Sequence, residues 1–239
     1  MDKNSNTYIF LFAIIMIVIV AVVLSVISTQ LQPLQDRNVK VQKMQDILAA
    51  MCVETTSEDA VADFEKYITN SLVLNNEGET IDSVKAFNVD MKKELAKNPD
   101  QRNLPLFIGK TEKGESKYII PLRGKGLWGP IWGYIALNDD YNTIFGASFS
   151  HDAETPGLGA EINTSNFENQ FRGKQILNQR NEFVSVDVVK GGAPEDDINA
   201  VDAITGGTIT SHGLRDMLSD CIKPYMSYFD KQTSKSIGE

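Results

Sequence analysis

The sequence predicts an α+β protein, built as one N-terminal transmembrane helix followed by a single soluble domain. Three observations carry this expectation. An uncharged apolar run occupies Tyr8 to Ile27, short β-branched and aromatic runs punctuated by glycine fill the middle of the chain, and helical patterns lie on both sides of them. Strands grouped centrally with helices at both ends fit α+β better than an alternation of βαβ units.

The apolar run reads YIFLFAIIMIVIVAVVLSVI, twenty residues without a charge. About 20 apolar residues are what a helix needs to cross a bilayer core. A cleavable signal peptide has an apolar region of only about 7 to 15 residues before a small-residue cleavage site. No A-x-A pattern follows Ile27, so residues 1–30 are expected to remain as an anchor. The span holds no ionisable residue, so by itself it tethers and offers no route for ions. Asp2 and Lys3 before it and Arg37, Lys40 and Lys43 after it form a thin charge bias. Taken alone, that bias would put the domain in the cytoplasm.

Past Pro33, residues 31–54 are expected to form a juxtamembrane helix, with Val39, Val41, Met44, Ile47, Leu48 and Met51 on its apolar face. The soluble domain is expected over 55–239. A helix is predicted from Ser57, where the chain is polar and acidic. Residues 75–104 read as loop with one helix near Ser83 to Lys97. The segments KYIIPLRGKGLWGPIWGYIALNDD and TIFGASFSHD have the pattern of strands and tight turns. Residues 164–180 are predicted helical, and EFVSVDVV (182–189) is predicted as a strand closed by the turn GGAP. Thr210 or Ser211 would cap a C-terminal helix.

Composition narrows the chemistry. The 239 residues carry 23 Lys and Arg against 32 Asp and Glu, a formal net charge of −9 with no basic cluster, which argues against a nucleic-acid partner. Cys52 and Cys221 read as two small buried hydrophobes, although a disulfide between them is possible. Two cysteines with His151 and His212, lacking ligand spacing, give no zinc or iron–sulfur signature. No metal site is expected, and any redox chemistry must come from an organic cofactor.

Two segments stand out. In VDAITGGTITSHGL (201–214) a strand end runs into Gly206 and Gly207, then Thr208, then a helix start. Backbone N–H groups at a helix N-terminus, with the helix dipole behind them, make a phosphate site that would lie beside the Thr208 hydroxyl. The residues alone favour a plain glycine turn before a capped helix, because Gly-Gly-Thr turns are common. In HDAETPGLG (151–159) Pro156-Gly157 makes a turn and Gly159 opens the next element. Taken bare, this is a solvated acidic turn.

Asp202-Ala203-Ile204-Thr205-Gly206-Gly207-Thr208 resembles the flavinylation motif Asp-x-x-Ser/Thr-Gly-Ala-Thr, with Gly207 standing where alanine is usual. The resemblance implies FMN held by a phosphoester on Thr208, within a motif formed by Asp202, Thr205, Gly206 and Gly207. Thr210 is the alternative acceptor. HxETPGLG is similar to a second signature of the same family, and implies that Glu154, Thr155 and Leu158, followed by Gly159, line the flavin. GKGLWGPIWGYI (124–135) resembles the family's Gly-x-Gly-x-Trp-Gly region, where Trp128 is either a flavin wall or a core aromatic. RNVKVQKMQDIL (37–48) resembles the family's juxtamembrane helix. Lys190 is either a cation compensating phosphate or reduced-flavin charge, or an exposed lysine.

These matches follow one order along the chain. They resemble the FMN-binding family formed by the C subunits of sodium-translocating NADH:quinone oxidoreductases, to which the G subunit of the Rnf ferredoxin:NAD oxidoreductase is related. The long insert before Lys117 favours the former. The resemblance implies an extracytoplasmic FMN-binding domain on a bacterial inner membrane, because the flavin transferase works on that side, and this outweighs the charge bias. It also implies an electron carrier with covalent FMN, whose partners are the transferase and the other subunits of a complex that oxidises NADH, reduces ubiquinone and exports sodium. This chain alone would catalyse nothing. The competing readings are an anchored, non-redox scaffold domain whose Gly-Gly-Thr turn is only structural, and a hydrolase using Thr208 with His212.

Overall fold

The computed structural model describes residues 5–237. Asp2 and Lys3, which precede the apolar run, lie outside the described residues. The chain divides into two compact units between Lys43 and Met44.

The first unit is the apolar part of α1 (Asn6–Ala50), which runs as one helix through Pro33. The segments read from sequence as separate at residue 30 are therefore continuous. Proline inside a helix removes one hydrogen bond and costs about 3 kcal/mol, but Gln and Leu on both sides of Pro33 are strong helix formers. Among the described residues this is the one helix long and apolar enough to cross a membrane, with a mean hydropathy of 3.4 over its best window. Its large side chains from Ile9 to Ile27 are exposed, as a lipid-facing helix requires.

The second unit is built on a five-stranded antiparallel sheet in sequential order: β1 (Ile68–Leu74), β2 (Leu104–Lys110), β3 (Ser116–Lys125), β4 (Pro130–Leu137) and β5 (Ile144–His151). Both faces are covered. One face carries Leu106, Ile120, Leu122, Ile131, Ile135 and Phe149 against α5 (Thr208–Ile222) and Phe229 of α6 (Met226–Ile237). The other carries Val73, Phe107, Ile119, Tyr134 and Ala136 against Ile47 and Leu48 of α1 and Tyr67 of α2 (Ala60–Tyr67). Burial on both sides explains why β3 and β4 read as nearly continuous apolar runs rather than alternating ones. A second, parallel pair joins β6 (Asp187–Val189) to β7 (Ala200–Asp202).

Several local expectations change. The region 83–97 holds a 3-10 turn at Ala86–Asn88 and the short α3 (Met91–Leu95), because the Asp90 side chain accepts the Lys92 N–H and starts a new helix there. Helix over 164–180 shrinks to α4 (Ser165–Glu168) and a 3-10 turn ending at Phe171, since Gly173 adopts φ +79° and the chain turns back to bridge Thr143 at Gln175. The strand expected over 182–189 is confined to β6, because Ser185 takes φ +63° and breaks the extended run. Strands β1 and β2 were not foreseen; ITNSLVL and LPLFIGK become strands by pairing with each other along residues 68–74 and 104–109. Cys221 is buried as expected, exchanges hydrogen bonds with the Arg123 backbone, and burial pushes its thiol up to about 11. Cys52 is exposed instead, at a left-handed turn ending α1, and neither thiol is paired.

Helix α5 approaches the sheet closely because it meets glycines. A Cβ on Gly124 of β3 would stand 2.7 Å from Met217 Cβ, and one on Gly213 would collide with the Lys125 carbonyl oxygen. Gly213→Ala should therefore reverse the usual sign. Alanine in a helix interior normally gains about 1 kcal/mol over glycine, whereas here overpacking is expected to cost about 1–3 kcal/mol. Denaturant unfolding of the detergent-solubilised chain measures this, and a gain in stability would contradict the close approach.

Candidate functional site

The site begins where β7 ends. Ala203 N–H donates to the Val189 carbonyl at 2.9 Å, continuing the pairing one residue past the strand. A tight turn follows, closed by Gly207 N–H donating to the Ile204 carbonyl at 3.0 Å, with Gly206 at φ +78°. The first helical bond of α5 runs from Ser211 N–H to the Gly207 carbonyl at 2.9 Å. Gly207 is the N-cap and supplies no side-chain cap, so the helix starts at Thr208 rather than after Thr210 or Ser211. Those two hydroxyls work as internal ties: Ser211 Oγ accepts the Ile204 N–H at 3.2 Å, and both residues are buried. The opening N–H groups of α5, free of intrahelical partners, surround a half-buried Thr208.

The second signature meets this turn at Glu154, which is 5% exposed. Its Oε1 accepts the Trp128 N–H at 2.9 Å, and its Oε2 accepts the Thr210 hydroxyl. Three segments, the β3–β4 turn, the loop after β5 and the first turn of α5, are thereby tied to one carboxylate. Glycine makes room for it. A Cβ on Gly126 would stand 2.5 Å from Glu154 Oε1, and one on Gly159 would run into both Oε2 and Thr210 Oγ1. Leu158 lies against Gly206, where a Cβ would sit 2.5 Å from its Cδ2.

The residues singled out in the sequence thus fall into two groups. Glu154, Leu158, Gly159, Gly206, Gly207 and Thr210 are brought together, with Thr208 at the rim. Trp128 is 67% exposed, so it is not a core aromatic. It joins Leu127, Leu158 and Ile209 as large exposed apolar side chains on the segments that converge at Glu154. Thr155 is exposed, and its carbonyl accepts the N–H groups of Leu158 and Ala160. Asp202 Oδ1 accepts the Ala193 N–H at 2.7 Å and so braces the GGAP turn. Thr205 and Lys190 are exposed, Lys190 directly after Val189. Glu154 was expected at the flavin's edge, but both its oxygens are already engaged within the protein.

The FMN-binding domain family matches residues 126–223, from the glycine beside Glu154 to the end of α5. A solved structure of the C subunit of the Na(+)-translocating NADH-quinone reductase from Parabacteroides distasonis aligns with a TM-score of 0.77 at 40% identity, covering 83% of this chain and 96% of that one. The chain belongs to this C-subunit family. NqrC from Shewanella oneidensis aligns with a TM-score of 0.69 at 26% identity over 82% of this chain and 98% of that one. The corresponding subunit from Vibrio alginolyticus is 26% identical over 211 residues, 82% of each chain.

The residues present fit the FMN that such a domain binds. The uncapped start of α5 suits a phosphate, and Trp128, Leu158 and Ile209 offer exposed apolar surface that a ring system could cover. Sequence reasoning missed Gly126, Gly213, Leu127 and Ile209. The two glycines matter only through contacts distant in sequence, and the apolar pair look like ordinary core residues until exposure is known.

Gly207 stands where the motif it resembles has alanine, and the space around it is tight. At φ −100°, a Cβ there would lie 3.0 Å from Ile204 Cγ2 and 3.3 Å from the Gly159 nitrogen, contacts relieved by a few tenths of an ångström. Gly207→Ala should stay within about 1 kcal/mol of wild type. Gly206→Ala, forced into the left-handed region, should cost about 1–2 kcal/mol more. Denaturant midpoints of the two variants check this, and equal stabilities would contradict the turn geometry.

Proposed function

We propose that this chain is the FMN-carrying electron-transfer subunit of a membrane complex that couples NADH oxidation and ubiquinone reduction to sodium export. The FMN is held covalently, as a phosphoester on Thr208. The observation that carries the reading is the position of Thr208, half-buried as the first residue of an uncapped helix, with the exposed Ile209 next to it and the exposed Leu158 packed against the preceding Gly206. Thr210, the other candidate acceptor, is 1% exposed with its hydroxyl donated to Glu154.

Attachment is a maturation step. A metal-dependent flavin transferase brings FAD, the Thr208 oxygen forms a bond to the flavin-side phosphorus, the pyrophosphate bond breaks, and AMP leaves while the hydroxyl proton passes to solvent. The bound FMN supplies one-electron and two-electron redox chemistry, while the protein sets its position. Linkage through phosphate leaves the ring system unmodified and keeps the carrier between fixed partners. Anchorage by α1 holds the domain at the membrane, and the domain lies on the extracytoplasmic side, where the transferase acts. The other subunits are the electron donor and acceptor, and this chain performs no catalysis of its own.

A hydrolase would need a base engaged with its nucleophile, and among the described residues no side-chain hydrogen bond joins Thr208 and His212; they are linked only as backbone neighbours one turn apart in α5. A scaffold domain would have no need of an exposed tryptophan beside an uncapped helix start.

Co-production with a flavin transferase should add about 438 Da to the intact chain, the mass of an FMN phosphoester, and give a band fluorescent under ultraviolet light on a denaturing gel. Thr208→Ala should abolish both. An unmodified wild-type chain, with the transferase active on another substrate, would leave the scaffold reading standing.

A further inference from the structure

The most tightly specified group near Thr208 is not an exposed one. Glu154 is buried, its Oε1 accepts the Trp128 N–H at 2.9 Å, its Oε2 accepts the Thr210 hydroxyl, and Gly126 and Gly159 leave no space beside either oxygen. A third tie fixes the loop itself, since the Glu154 N–H donates to His151 Nδ1 at 3.3 Å. A carboxylate so enclosed is engaged within the protein, where it joins the first turn of α5 to the Trp128 turn.

We propose that Glu154 is a positioning residue for flavin attachment, which clamps the first turn of α5 to the Trp128 turn and withdraws the Thr210 hydroxyl, leaving Thr208 as the acceptor. This rests on the reading of Thr208 as the FMN-bearing residue. Thr208 and Thr210 are two residues apart in α5, about 100° per residue on a helix, so they point in very different directions. The Glu154–Thr210 bond sets the rotation of that first turn and thereby turns Thr208 outward. The same carboxylate, through Oε1, fixes where Trp128 stands relative to it.

Glutamine is the informative replacement. Its oxygen can accept the Trp128 N–H while its amide donates to Thr210 Oγ1, so both ties survive without the charge. Alanine removes both. The full-length chain in detergent is incubated with transferase and FAD, FMN incorporation is followed by intact mass over time, and the modified residue is located by peptide fragmentation. Glu154→Gln should be modified at Thr208 within a few-fold of the wild-type rate, whereas Glu154→Ala should be slowed about tenfold or more, as a displaced reactive group is. Thr210→Val keeps the shape, removes only the Oε2 tie, and should fall between them, so the idea remains testable if the alanine variant folds poorly.

Wild-type rates in both Glu154→Ala and Thr210→Val would overturn the proposal. So would a Glu154→Gln variant as slow as Glu154→Ala, because the charge rather than the clamp would then matter. A wild-type chain that takes up no FMN would instead count against the assignment of Thr208, a separate failure.

Discussion

The arrangement around Thr208 depends on one buried carboxylate. Leaving a buried hydrogen-bonding group without its partner costs about 1–3 kcal/mol, and more when it is charged, so the Glu154 position is tolerated only because the Trp128 N–H and the Thr210 hydroxyl both meet it. Those bonds in turn require three separate segments to come within a few ångströms, and glycine at 126 and 159 is what permits the distance. The sheet supplies the frame. β3 and β4 deliver the Trp128 turn, β5 delivers the loop bearing Glu154, and α5 packs across the same face with its N-terminus at their meeting point.

A chain organised this way separates rigidity from exposure. The polar ties lie underneath, where the Glu154 carboxylate and the Thr210 and Ser211 hydroxyls are consumed by protein partners. The surface above them keeps an uncapped helix start and several exposed apolar side chains. An electron carrier needs both properties, since its cofactor must be held in a fixed place and still be reached by partners. The sheet, covered on both faces, gives the support.

Much of this was legible in the sequence, and the reason differs from place to place. The long apolar helix is written in an uncharged run of mostly apolar side chains, which needs no tertiary context. The glycine turn before α5 is local and could be read directly, although the helix begins at Thr208 rather than after Thr210 or Ser211. β3 and β4 announced themselves through β-branched and aromatic content. β1 and β2 did not, because ITNSLVL and LPLFIGK gain their strand character from pairing across a long intervening segment. Residues 172–180 looked helical and are not, since Gly173 takes a positive φ where the chain turns back on itself; Ser185, also at positive φ, cuts short the strand that follows. The tie made by Glu154 was illegible for a related cause, since only the folded structure reveals that Thr210, 56 residues away, is its partner.

The most direct measurement is made on the native chain isolated from its own membranes. Trypsin should release Gly191–Arg215, a peptide that contains Thr205, Thr208, Thr210 and Ser211 together. Fragmentation of that peptide should place an FMN phosphate on Thr208 and on none of the other three. FMN found on Thr205, Thr210 or Ser211, or a peptide with no modification at all, would contradict the account.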